Sequence, residues 1–296
     1  MLHLNKQKEV ILYKYQIIIK RALEGLFVIL LIGGFTGCSS DEAVKQLSAA
    51  QQFEIGMKAF RNEDYLDAID AFKVITLQYQ GSRFADAAQF YMGECRFLRE
   101  EYVLAAYEYD LLIKNMPMSK YVLNAQFRKG TSYYELSPKS YLDQEYTKKA
   151  IDAYQAFLEY HPTDSLAAIA DARIRELEHK LAKKDYENGV IYMKMEYYKA
   201  STYYFDLVLD KYYDTEYAEP AFFKKIQSLY FRKRYPDAVK ELDVFVKKYP
   251  AGSFISEVPQ LREDIKAGIL LAAAEAKKLK KVLMNMPLQP GGSSKQ

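Results

Sequence analysis

The sequence predicts an all-α protein, a stack of about five helix pairs closed by a C-terminal capping helix. Three segments, Gln52–Gly56, Gln89–Gly93 and Gln126–Gly130, read almost alike, and each starts 37 residues after the one before it. A fixed period of this size indicates stacked supersecondary units rather than one globular core. Apolar side chains after each glycine recur at helical spacing, so each unit is expected to hold two helices.

The second helix of each predicted unit carries a small residue, a large apolar residue four positions later and another apolar residue three positions after that. This spacing places the three side chains on one helix face. The five sets are Ala68, Phe72 and Ile75; Ala105, Tyr109 and Leu112; Ala150, Tyr154 and Phe157; Ala200, Tyr204 and Leu207; and Ala238, Leu242 and Phe245. Small residues in both helices allow a close approach, and the aromatic ring fills the remaining gap.

The later elements follow from local signals. Ser82, Ser119 and Thr215 precede helices and are expected to cap them. The third unit holds an insertion over residues 136–145, and residues 164–195 predict one long helix, bent near Gly189. An apolar stripe from Leu261 to Leu283 predicts the capping helix, which a solenoid needs over its last repeat.

The first 37 residues differ from the rest. A basic leader precedes an apolar stretch from Leu26 to Phe35, which is too short to span a bilayer and suits a signal peptide. Thr36, Gly37 and Cys38 then resemble the bacterial lipoprotein box, in which the cysteine carries lipid. The alternative is a plain signal peptide with an incidental cysteine, and the length of the leader indicates a start codon downstream of Met1. The only other cysteine, Cys95, is expected to be a buried small hydrophobe.

The predicted organisation is therefore a signal peptide (1–37), a lipidated tether (38–48), an N-terminal half with three repeats (49–162), a C-terminal half with two repeats and the capping helix (163–286), and a disordered tail (287–296). Without the leader the chain carries 37 basic and 37 acidic residues. This balance argues against nucleic acid or an anionic membrane face as a partner. Membrane attachment is expected through acyl chains on Cys38.

No pattern in the sequence predicts catalysis. The three histidines and two cysteines show no zinc spacing, and phosphate-binding and nucleophile motifs are absent. We expect a binding protein, with no catalytic residues, no metal and no cofactor beyond the lipid.

The repeat resembles the tetratricopeptide repeat, which implies a superhelix with a concave binding face. A more specific resemblance lies in Asp143–Ile151, followed by Phe157 and residues 160–162, and in the stretch from Ala170 to Tyr198. These segments resemble the BamD family of outer-membrane β-barrel assembly lipoproteins. The resemblance runs from Cys38 to about Pro250, and the final helix and tail are longer than the family pattern. It implies a protein anchored in the outer membrane and facing the periplasm. Its partners would be the periplasmic domain of the barrel-forming subunit and unfolded outer-membrane proteins.

Two surfaces are predicted to bind these partners. In this repeat type two first-helix positions face the concave side, which predicts two aromatic ladders forming a client groove: Phe53, Phe90 and Phe127, and Phe60, Phe97 and Tyr134. The candidate contacts to the barrel-forming subunit are the exposed part of the run from Tyr197 to Tyr204, above all Tyr197 and Tyr204, and the basic run at residues 232–234, above all Arg232 and Arg234.

Two alternatives share the anchor and the repeats. One is a scaffold for cell-wall or envelope complexes, against which the Asp143–Gln144 insertion argues. The other is a surface glycan-binding lipoprotein, against which the absence of tryptophan argues, since such proteins usually stack sugars on aromatic platforms that include it.

Overall fold

The computed structural model describes residues 47–285. The chain divides after Ser48 into two units, and the helices described below all lie in the second unit, from Ala49 onward. The predicted leader, Cys38, most of the tether and the tail lie outside the described residues.

Ten helices of this unit form five consecutive pairs, each helix packing on the next, and an eleventh follows. Residues 47–285 form no strand. The pairs are α1 (Ala49–Arg61) and α2 (Tyr65–Gln78); α3 (Ala85–Leu98) and α4 (Tyr102–Asn115); α5 (Val122–Glu135) and α6 (Glu145–Tyr160); α7 (Ala167–Lys194) and α8 (Tyr198–Lys211); and α9 (Ala218–Phe231) and α10 (Tyr235–Lys248). A short 3-10 turn (Ile255–Glu257) leads into α11 (Val258–Met284), whose first turns pack on α10. The predicted fold, five tetratricopeptide-type pairs and a C-terminal helix, is confirmed.

The repeat glycines allow the two helices of a pair to touch. A Cβ built on Gly56 would lie 2.5 Å from the Phe72 ring, and one on Gly93 would lie 2.5 Å from the Tyr109 ring. Phe72 and Tyr109 are fully buried, as is Cys95 on α3. The φ angles of these glycines are not positive, so their backbone conformation does not require glycine. Glycine is needed at these positions because a side chain would clash with the ring.

The fourth pair corrects the predicted register of its second helix. Its first helix is the predicted single long helix, and Gly189 within it is the repeat glycine of this pair, since a Cβ there would lie 2.5 Å from the Phe205 ring. The inward face of α8 is Ser201, Phe205 and Val208, all fully buried, one residue beyond the predicted Ala200, Tyr204 and Leu207. Because one residue turns an α-helix by about 100°, this shift moves every predicted contact to another face.

The fifth pair replaces the glycine and the ring with aliphatic residues. Ile226 and Leu242 occupy the positions of Gly93 and Tyr109 in the repeat, and both are fully buried. Moving volume from one helix to the other keeps the pair closely packed.

The insertion in the third pair is an ordered loop held by one buried amide. The Gln144 side chain donates to the Lys139 carbonyl at 2.8 Å and the Leu142 carbonyl at 3.0 Å. Its oxygen accepts from the Thr147 hydroxyl at 2.7 Å. The Leu142 carbonyl also accepts from Lys184 on α7, so the loop's own glutamine and the next helix together satisfy these backbone groups.

The boundary predicted near residue 162 falls in the loop between α6 and α7. A single core cluster continues across it, because Phe157 on α6 packs with Leu177 and Leu181 on α7.

The predicted serine caps are wrong in detail. Ser82 and Ser119 accept the amides of Phe84 and Tyr121, both at 3.1 Å, but these residues precede the first helical residue. The serines therefore order the turn that leads into the helix and do not cap the helix itself.

The turns inside four of the pairs share a left-handed residue. Glu63, Glu100, Glu196 and Lys233 have φ between 59° and 65°. In the second pair the amide of Glu101 donates to the Arg96 carbonyl at 2.9 Å, which is the long bond of a Schellman ending. Glycine is the usual residue at this position, yet this chain carries charged residues there.

Candidate functional site

The first predicted ladder, Phe53, Phe90 and Phe127, lies half-buried at the junctions between helices. Each ring packs on the aromatic residue of its own pair, with centroid distances of 5.7, 5.9 and 5.7 Å to Phe72, Tyr109 and Tyr154. Phe53 also stacks on Phe84 at 5.1 Å, and Phe90 stacks on Tyr121 at 5.0 Å. Phe84 and Tyr121 belong to the next repeat, so these rings join successive repeats.

The second predicted ladder is Phe60, Phe97 and Tyr134. The Phe60 ring lies edge-on to Tyr91 at 5.2 Å. Guanidinium groups cover the other two, Arg128 at 4.0 Å from the Phe97 centroid and Arg173 at 3.8 Å from the Tyr134 centroid. The covering side chains come from the first helix of the following pair, and the cation–π contacts stabilise that junction.

These contacts engage five of the six rings in packing between repeats, and the ring contacts of Phe127 stay within its own pair. In the part of the chain that the structure describes, ring contacts connect each of the six to its own pair or to the next, and none connects two ladder members. The six rings remain partly exposed to solvent, and none of them is fully buried. Client binding by the two ladders stays a prediction.

A charge cluster lies between the ladders, where α3, α4 and α5 meet. Arg128 donates to both oxygens of Glu94, with Nε–Oε1 at 2.7 Å and Nη2–Oε2 at 2.6 Å. The Tyr109 hydroxyl also donates to Glu94, at 2.5 Å. Burial, followed by the neighbouring Glu94 carboxylate, raises the pKa of Tyr109, so the phenol stays protonated and remains a donor. The Arg128 guanidinium therefore contacts both the Glu94 carboxylate and the Phe97 ring.

The predicted partner-docking residues are only partly brought together. Tyr197 and Arg232 line one open cavity of about 720 Å³ at the turns that follow α7 and α9. Tyr204 lies outside its lining and stacks on Tyr192 at 5.3 Å. Arg234 also lies outside it and pairs with Asp237 at 2.5 Å.

Two further aromatic residues of the predicted run from Tyr197 to Tyr204 line this cavity, Tyr198 and Tyr203. Tyr203 is 59% exposed, and Tyr198 stacks on the exposed Phe231 at 5.0 Å. The sequence indicated the run but not which of its residues are exposed, because the predicted register of α8 was one residue off. Together the cavity residues form an aromatic surface with a cation, Arg232, at its edge.

The helices of residues 47–285 include none long and apolar enough to cross a membrane. The same residues contain no group of three or more His, Cys, Asp or Glu arranged to hold a metal ion.

Comparison with known proteins identifies the family. The family model YfiO, described as outer membrane lipoprotein, matches residues 45–233. The chain belongs to the YfiO family. The match covers the first four helix pairs and α9, and therefore includes the predicted binding residues except Arg234, but not α10 or α11.

Two relatives carry the same name. The outer membrane protein assembly factor BamD of Rickettsia prowazekii is 24% identical over 238 residues, which are 80% of this chain and 94% of that protein. The protein of the same name from Caulobacter vibrioides is 21% identical over 176 residues, 60% of this chain and 58% of that protein.

Solved structures of similar proteins include two tetratricopeptide proteins. One from Bacteroides fragilis is 15% identical, covers 75% of this chain and 99% of its own, and has a TM-score of 0.41. One from Parabacteroides merdae is 14% identical, covers 81% and 80%, and has a TM-score of 0.33.

Proposed function

We propose that this YfiO-family chain is an outer-membrane protein assembly factor that acts as a scaffold rather than as an enzyme. The observation that carries the proposal is the family match over residues 45–233, together with a BamD relative aligned over 94% of its length. The scaffold would bind the periplasmic domain of a barrel-forming subunit and unfolded outer-membrane proteins. Affinity purification from detergent-solubilised envelope should recover the barrel-forming subunit. Recovery of cell-wall enzymes in its place would overturn the proposal.

The proposed anchor is lipid on Cys38, and the protein would face the periplasm from the outer membrane. The two cysteines provide a matched pair of variants. Labelling with a fatty-acid analogue should mark the wild type and Cys95→Ala but not Cys38→Ala. A labelled Cys38→Ala protein that stays in the membrane would contradict the anchor while leaving the scaffold role untouched.

The proposed contact with the barrel-forming subunit is the aromatic cavity between the turns after α7 and α9. Exposed tyrosines beside an arginine are typical of residues that contribute most to binding energy at interfaces. Tyr203→Ser and Arg232→Glu should each reduce co-purification of the subunit by at least ten-fold, about 1.4 kcal/mol.

The matched control for this contact is Arg175→Glu, which reverses an exposed arginine on α7 outside the cavity. Arg234→Glu tests the other predicted arginine. Because Arg234 is paired with Asp237, this variant should reduce co-purification less than Arg232→Glu does. Full co-purification of both cavity variants would remove this surface from the interface.

The proposed client contact is the pair of aromatic ladders. Because the ladder rings also pack between repeats, a polar substitution would confound binding with stability. Phe60→Leu with Phe97→Leu keeps apolar volume and removes the rings. Crosslinking to a peptide with the apolar C-terminal sequence of a barrel protein should fall. The control is Phe205→Leu, which changes a fully buried ring in the fourth pair. Equal crosslinking by both proteins would contradict the groove.

A further inference from the structure

The second half of α11 extends beyond the packed repeats. Val258, Leu261, Ile265 and Gly268 are buried against the fifth pair. Every residue from Ile269 to Asn285 is exposed, including Leu270 (72%), Leu283 (60%) and Met284 (73%). Four helical turns thus carry apolar side chains into solvent, whereas a cap would end with a polar outer face.

The exposed half continues the buried stripe of the same helix. Ala272, Ala276, Leu279 and Leu283 follow Ile265 and Ile269 at alternating steps of four and three. At about 100° per residue, these side chains share one face with Leu271 and Val282. The apolar face is therefore wider than the narrow seam that a two-stranded coiled coil uses.

The opposite side of the same segment is basic. Lys277, Lys278, Lys280 and Lys281 lie within five positions, against the single acidic residue Glu275. At about 100° per residue, all four lysines lie on the half of the helix away from the apolar face. Leu270 and Met284 lie on that same half, and Glu275 lies within the apolar face. A helix with an apolar face and a lysine-rich face suits an anionic lipid surface, because it buries the first and attracts phosphate groups with the second.

We propose that residues Ile269–Met284 form a membrane-surface helix that lies in the interface of an anionic phospholipid bilayer. An anionic bilayer uses both faces of this segment, since acyl chains cover the apolar face and phosphate groups bind the lysines, whereas a second copy paired through the apolar face would leave the lysines unused. The near-neutral balance of the whole chain conceals this segment, because net charge does not report where charges cluster. The contact is independent of lipid on Cys38 and lies outside the family match.

The first test uses fluorescence, because the chain has no tryptophan. Leu283→Trp places a unique reporter on the apolar face, and Ala274→Trp places one on the opposite face of the same helix. The protein is the chain from Ser39 on, which keeps every core cluster and removes any acylation. Vesicles of phosphatidylcholine with phosphatidylglycerol should shift Leu283→Trp emission to the blue and leave Ala274→Trp unchanged. No shift in Leu283→Trp would overturn the proposal.

The second test removes charge. Each lysine near an anionic surface contributes about five-fold to partitioning. Lys277→Gln with Lys281→Gln should therefore weaken vesicle co-sedimentation by about 25-fold. Lys240→Gln with Lys247→Gln, two exposed lysines on α10, should leave it unchanged. Binding to pure phosphatidylcholine that matches the mixed vesicles would refute the role of charge.

Self-association is measured on the same protein by light scattering without vesicles. A monomer is expected. A dimer that Leu279→Gln with Leu283→Gln dissociates would assign the face to a second copy and overturn the membrane proposal.

Discussion

At the scale of single residues, the glycines of the repeat are the tightest constraint. A Cβ on Gly93 would lie 2.5 Å from a ring that is fully buried and hydrogen-bonded to Glu94, so the ring has little freedom to move. We expect Gly93→Ala to lower the free energy of unfolding by about 1–3 kcal/mol. Urea denaturation measures this. Gly81→Ala is the control, because nothing lies within 4 Å of its Cβ. Its effect should be neutral or stabilising, and equal losses in both variants would contradict the packing role.

A second residue-scale prediction concerns pH. Burial raises the pKa of Glu108, and a hydrogen bond from Gln89 at 2.7 Å opposes this only in part. A carboxyl with a raised pKa in the folded state favours folding when protonated and opposes it once ionised. Glu108→Gln should therefore be more stable than the wild type at pH 7, with the difference shrinking as the pH falls below the pKa of Glu108. Chemical denaturation at several pH values measures it. A variant less stable at pH 7 would show that the charge is needed.

The insertion loop provides a third prediction at this scale. Truncating Gln144 removes its three hydrogen bonds, to the carbonyls of Lys139 and Leu142 and from the Thr147 hydroxyl. Each of these groups keeps one other partner, which is the Leu142 amide, Lys184 and Ser137 respectively. Gln144→Ala should cost about 1–3 kcal/mol of stability. Gln155→Ala, an exposed glutamine on α6, is the control. A small loss at Gln144 would show that water replaces the amide.

At the scale of elements, the left-handed turn residues are positions where substitution by glycine should raise stability. Glu100 has a φ of 60°, a conformation that costs a residue with a Cβ about 1 kcal/mol. Glu100→Gly should therefore stabilise the protein by up to about 1 kcal/mol. Gln155→Gly, inside α6, should destabilise it by about the same amount. Thermal unfolding of both variants measures these changes in stability. Destabilisation by Glu100→Gly would indicate a role for the Glu100 carboxylate.

The helix pairs differ in how well the sequence alone predicts them. The period of three glycines indicated a repeat, and the five sets of small and apolar residues in the second helices predicted the number of pairs. The fourth pair lacks alanine at its small position, and Ala200 one residue earlier attracted the assignment. Ser201, fully buried and bonded to Ser228 at 3.0 Å, holds that position instead. The exposure of Tyr203 and the position of the Arg128 guanidinium over the Phe97 ring depend on contacts between repeats. The period of the sequence does not predict such contacts.

At the scale of the whole molecule, stability depends on how strongly neighbouring repeats are coupled. Glu94 and Arg128 connect the second pair to the third with two hydrogen bonds, and their side chains are only 16% and 25% exposed. Arg128→Ala removes both of these hydrogen bonds and leaves the Glu94 carboxylate with the Tyr109 hydroxyl as its donor, which should cost about 2–3 kcal/mol. A double-mutant cycle with Glu94→Gln isolates the coupling. Additive losses would show that the two residues act independently.

The exchange of glycine and ring for isoleucine and leucine in the fifth pair has an evolutionary consequence. The position of Gly93 cannot accept a larger side chain while Tyr109 stays, and Tyr109 cannot shrink without leaving a hole beside Gly93. The route from one packing to the other therefore passes through an unstable intermediate. Across descendants of such a repeat the two positions should change together, and a lineage that has made the exchange in one pair should rarely reverse it.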